Sequence, residues 1–66
     1  MTGKITGLVQ DRGFGFIMGE DGTEYFFHMN AVRDAQFYEF AVDDPVTFEA
    51  VKTPKGFRAD AVRLVR

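Results

Sequence analysis

The sequence predicts an all-β domain, a small barrel or sandwich of five short strands. Three observations predict it. Turn signals punctuate the 66 residues at regular intervals. The segments between them have strand length. Within those segments side chains alternate with a period of two, as a half-buried strand requires. The length allows one domain, spanning 1–66.

The first segment, about 3–10, ends at Gln10-Asp11-Arg12-Gly13, which reads as a turn. The second, 13–19, puts Phe14, Phe16 and Met18 on one face and Gly15 and Ile17 on the other. Asp21-Gly22 then signals a hairpin. In the third, 23–29, Glu24, Phe26 and His28 share one face against Tyr25, Phe27 and Met29. Residues 30–44 carry no clean helical period and form a long connection, where Asn30 is placed to cap a short turn over 31–33. Asp43-Asp44-Pro45 opens the fourth segment, 45–52, in which Val46, Phe48 and Ala50 alternate with Thr47 and Glu49. Pro45 stands at the first strand position, where a missing N–H is tolerated. Thr53-Pro54-Lys55-Gly56 has the Pro and Gly placement of a type I turn. In the fifth segment, 56–65, Ala59 and Ala61 are in phase and then Val62 and Leu64 take over, which predicts a bulge.

Composition removes several function classes. There is no cysteine and no serine, and His28 is the only histidine. Thiolate zinc sites, disulfides, serine nucleophiles and multi-histidine metal sites are therefore absent, and no cofactor or enzymatic activity is expected. A cytoplasmic setting fits the lack of cysteine. Met1-Thr2-Gly3-Lys4 is followed by no apolar run, so no secretory leader is expected. No stretch approaches the roughly 18 apolar residues of a membrane helix.

The net charge of −2 argues, read globally, against nucleic acid. The distribution is uneven. Lys4 and Arg12 outweigh Asp11 near the start. Residues 20–50 hold eight acids against Arg33. Lys52, Lys55, Arg58, Arg63 and Arg66 then face Asp60 alone. A fold that brings the two ends together gives an acidic protein one locally positive face.

Aromatic content is the other anomaly: eight Phe and two Tyr, but no Trp. Segments two and three carry large groups on both faces, and a core needs only one. With Gly15, Ile17, Tyr25 and Phe27 inward, Phe14, Phe16, Phe26 and His28 face out, with Arg12 at their edge. Tyr25, Phe27, Phe40 and Phe48 go to the core; no face is assigned to Tyr38 or Phe57. Exposed rings beside cations suit single-stranded nucleic acid, because every base has a face that stacks on a ring while cations follow the phosphates. The alternatives are a patch covered by another subunit, or a core with its inner face reversed.

Arg12-Gly13-Phe14-Gly15-Phe16-Ile17 resembles the first ribonucleoprotein motif, and Tyr25-Phe26-Phe27-His28-Met29 the second. In this order and with almost no helix, the chain resembles the bacterial cold-shock domain family over essentially its whole length. Phe37, Lys55-Gly56 and Ala59-Asp60-Ala61-Val62 match as well. The resemblance implies a five-stranded antiparallel Greek-key barrel of the OB type. It implies binding of single-stranded RNA or DNA, as an RNA chaperone or a regulator of transcription or translation. The implied stacking group is Phe14, Phe16, Phe26, His28 and Phe37. Arg12 and Lys55 match positions that are usually basic, and Arg58 stands with Lys55 as a further candidate. Lys4, Lys52, Arg63 and Arg66 are read as ordinary surface.

Two departures stand out. Where the family typically has Lys-Trp-Phe, this chain has Thr6-Gly7-Leu8, and Met29 replaces a frequent Phe. Losing one stacking ring costs about 1–2 kcal/mol, so binding weaker than the family norm is expected. A monomer is expected. The alternative function is a protein-interaction or homodimerisation module that uses the same aromatic patch.

Overall fold

Alternation and turn chemistry together produce five strands: β1 (Thr2–Val9), β2 (Phe14–Gly19), β3 (Glu24–His28), β4 (Pro45–Thr53) and β5 (Gly56–Leu64). The structure, a computed structural model, describes residues 1–65. The strands close into a barrel in the order β1-β2-β3-β5-β4, with β4 returning to pair with β1 at Pro45–Thr47. Every pairing is antiparallel except β3 with β5, which is parallel. The expectation of a five-stranded all-β barrel holds, and the strand bounds fall within a residue or so of those read from the sequence.

Each turn forms for a local reason. At the β1–β2 turn the N–H groups of Arg12 and Gly13 both donate to the Val9 carbonyl. Gly13 takes a left-handed φ of 74° there, and a Cβ at this position would collide with the Met29 side chain. At the β2–β3 turn Asp21 Oδ1 accepts from the Thr23 N–H at 3.0 Å while Gly22 supplies φ 81°. In the β4–β5 hairpin Thr53 lies opposite Gly56, leaving Pro54-Lys55 as the loop.

The barrel interior holds Ile5, Ile17, Tyr25, Phe27, Phe40, Val46, Phe48, Ala59 and Val62, with Ala31 at its edge. All four aromatic core assignments are correct. Tyr25 and Phe48 meet with centroids 4.9 Å apart, and Phe27 and Phe40 at 6.4 Å. Gly15 is inside too, where a Cβ would lie 2.7 Å from the Gly7 carbonyl oxygen and 2.8 Å from the Phe27 ring. Only glycine lets β1, β2 and that ring approach so closely.

Two bulges let strands of this length keep one face inside. Between Thr47 and Glu49 of β4, β5 advances from Arg63 to Asp60, so Ala61 and Val62 share one place opposite Phe48. This is the predicted bulge. Ala61 adopts φ 49°, and the Asp60 carboxylate accepts its N–H at 3.0 Å. A second bulge, at Thr6 between Ile5 and Gly7 of β1, was not anticipated. It turns Gly7 outward, opposite Phe16.

Two expectations are corrected. Ala50 is exposed rather than in line with Val46 and Phe48, because β1 covers β4 only as far as Thr47 and leaves the rest paired on one edge. The short turn after β3 is a 3-10 helix over Met29–Ala31, and its cap is His28, not Asn30. A second 3-10 turn, Phe37–Glu39, closes with a capping box between Gln36 and Glu39.

Candidate nucleic-acid interface

Period-two geometry places Phe14 and Phe16 on the outer face of β2, and Phe26 and His28 on that of β3. The antiparallel register sets Phe14 opposite His28 and Phe16 opposite Phe26. Cross-strand neighbours on one face lie about 4.5–5.5 Å apart at Cβ, so these rings form one cluster. Phe14 and Phe26 have centroids 5.5 Å apart with planes at 34°; Phe16 lies 6.0 Å from each, edge-on. Phe26 keeps 37% of its surface exposed, and Phe14 and Phe16 are half-buried. Such rings support one another and still present π surface to solvent.

His28 ends this row with a fixed role for each nitrogen. Its Nδ1 accepts the Asn30 N–H at 3.1 Å, so in the neutral ring the proton sits on Nε2. The imidazole offers that N–H outward as a donor while its other edge holds the 3-10 turn.

The fourth predicted ring behaves differently. Phe37 is half-buried on its loop and packs against the core ring Phe27, centroids 6.0 Å apart. No ring contact joins it to Phe14, Phe16 or Phe26 among the described residues.

Of the predicted cations, Arg58 is the one the barrel carries to the cluster. Closure of β3 on β5 sets it in register with Phe26. It lines two surface hollows. One, about 430 Å³, also takes in Phe26, Pro54, Lys55 and Phe57. The other, about 330 Å³, takes in His28, Asn30, Ala31 and Asp60. Lys55 thus joins the site through the first hollow. Arg12 is exposed on the β1–β2 turn, two residues before Phe14.

Ion pairing sorts the positive charges. Lys4 meets Asp43 at 3.7 Å, Arg33 meets Asp60 at 4.0 Å, and Arg63 meets Asp34 at 2.8 Å. Among the described residues this leaves Arg12, Lys52, Lys55 and Arg58 with no carboxylate within ion-pair distance. Arg12, Lys55 and Arg58, three of these four, are the cations named as candidates from the sequence. Arg66, read as ordinary surface, lies outside the described residues.

The acidic middle of the chain is spent partly on structure. Asp21 Oδ2 accepts the Tyr25 hydroxyl at 2.7 Å. That bond, with the Thr23 N–H, holds the Asp21 carboxyl below its usual pKa. The same bond raises the Tyr25 hydroxyl above its own. Glu20 accepts both the N–H and the hydroxyl of Thr2, and is lowered by those two bonds.

Sequence reasoning left Phe57 unassigned. It is 45% exposed, packs edge-on against Tyr25 at 5.8 Å and lines the hollow beside Phe26. Its place depends on the long-range β3–β5 closure, which local alternation does not reveal.

The chain is similar to several known proteins. The family model described as the "'Cold-shock' DNA-binding domain" matches residues 1–65. Cold shock-like protein CspJ of Salmonella typhi is 41% identical over a 61-residue alignment that covers 85% of this chain and 87% of that one. Cold shock protein 2 of Lactiplantibacillus plantarum is 34% identical, covering 92% of each chain. Among solved structures, the drosophila Unr CSD456 chain superposes with a TM-score of 0.71 at 21% identity. That match covers 98% of this chain but 26% of the other, and shows a shared fold.

Proposed function

Because the chain belongs to the cold-shock DNA-binding domain family, we propose that it binds single-stranded RNA or DNA by stacking bases on Phe14, Phe16 and Phe26. His28 donates from Nε2 at the end of the row, and Arg12, Lys55 and Arg58 follow the phosphates. Phe37 stands at the margin as a further stacking ring. The observation that carries this reading is the coincidence of three clustered, solvent-facing rings with cations that, among the described residues, no carboxylate neutralises. Stacking is tolerant of sequence, so preference is modest. A protein that holds unpaired bases shifts RNA hairpins toward open forms without ATP, which suits an RNA chaperone or a regulator of transcription or translation. Gly7 presents no ring, so affinity lies below that of members with an aromatic there.

Anisotropy of a labelled oligothymidine, titrated at several salt concentrations, tests this. Phe14→Ala and Phe26→Ala are each expected to weaken binding by about 1–3 kcal/mol. Arg12→Ala is expected to lower the slope of log K against log salt by about one unit. Undetectable affinity at low salt would sink the proposal. A dimer in sedimentation that the same Phe substitutions dissociate would point instead to protein interaction.

A further inference from the structure

The hollow beside Phe26 also takes in the start of β5, from Gly56 to Arg58. Its volume, about 430 Å³, lies within the roughly 300–1,000 Å³ of ligand sites. Phe57 lines it with 45% of its surface in solvent, held edge-on by Tyr25. Of the four cations without a carboxylate partner among the described residues, three surround this ring in the chain: Arg58 follows it, Lys52 lies opposite it in the β4–β5 register, and Lys55 sits in the loop above. Among the described residues no acid lines the hollow. An occupant matched to these walls is flat, apolar on its faces and attached to negative charge.

We propose that Phe57 forms an additional base-stacking subsite. One nucleotide of a bound single strand seats its base in the hollow against the Phe57 ring, and its phosphate lies near Lys52, Lys55 and Arg58. The subsite rests on the reading of Phe14, Phe16 and Phe26 as a stacking surface, with which it is continuous through Phe26. The row of bases then runs from β2 over β3 to β5. The footprint is displaced away from β1, where Gly7 has no ring, and the Phe57 subsite recovers part of the affinity lost there.

The absence of tryptophan supplies the test. Phe57→Trp and, separately, Phe14→Trp each introduce a single indole emitter, which a stacked base quenches. Adding a seven-residue oligothymidine is expected to quench both. Phe57→Leu, which keeps an apolar side chain beside Tyr25, is expected to weaken binding at least fivefold with its thermal melt retained. Quenching in Phe14→Trp without quenching in Phe57→Trp would overturn the subsite and leave the proposed function standing. So would a Phe57→Leu affinity equal to that of the native chain. Failure of both emitters to respond, with no binding by the native chain, would overturn the proposed function itself.

Discussion

Single positions bear directly on the proposed stacking surface. Gly7 faces out opposite Phe16, and a Cβ built there meets only the Phe16 ring, at 3.5 Å, an ordinary contact. Nothing in the barrel therefore demands glycine at this place, unlike Gly15. Gly7→Trp is expected to fold and to bind oligothymidine about five-fold more tightly or better, since each stacked base is worth about 1–3 kcal/mol. An unchanged dissociation constant in the same titration would show that the strand does not reach β1. Phe14, Phe16, Phe26 and His28 were legible in the sequence because they keep strict period two on consecutive strands. The free cations were only partly so. Ion pairs such as Arg63 with Asp34 join residues far apart in the chain, and no local pattern announces which charges they consume.

The β2–β3 hairpin is the element that carries the proposed stacking rings, and an acid closes it. Asp21 receives the Tyr25 hydroxyl and the Thr23 N–H, and Glu20 ties the end of β2 to Thr2 of β1. Both carboxyls have folded-state pKa values below their ordinary 3.8 and 4.5. A depressed acid stabilises the fold fully above its ordinary pKa and loses that contribution as pH falls through the folded value. The melting temperature of the native chain is therefore expected to decline as the pH drops below about 4.5. In Asp21→Ala the decline is expected to be shallower, starting from a lower melting temperature at neutral pH. Parallel melting curves from pH 7 to pH 2 for the two proteins would refute this role. At this scale the sequence disclosed most of the strands, because alternation and turn residues are local. The β5 bulge was visible since alanine and valine change phase there. The β1 bulge was not: Gly7 follows it directly and gives no side chain from which to read a phase.

Across the whole molecule, strand pairing is unequal. β4 and β5 share a long register, as do β1 with β2 and β2 with β3. The parallel join of β3 to β5 is made at Phe26 and Arg58, with a further bridge between Val32 and Val62. No sequence pattern pointed to this seam, and Phe57 could not be assigned without it. The seam also runs directly beneath the proposed track of bases. Local opening is easiest where the fewest backbone bonds must break, so amide hydrogens along β3–β5 are expected to exchange faster than those between β2 and β3. Bound oligothymidine is expected to slow them selectively; uniform slowing, or none at the seam, would contradict this. If the proposed track is right, a strand laid across that join acts as a clasp on the ring. Whatever favours the closed ring then favours capture, so a marginally closed barrel holds its ligand less firmly even when every stacking side chain is intact.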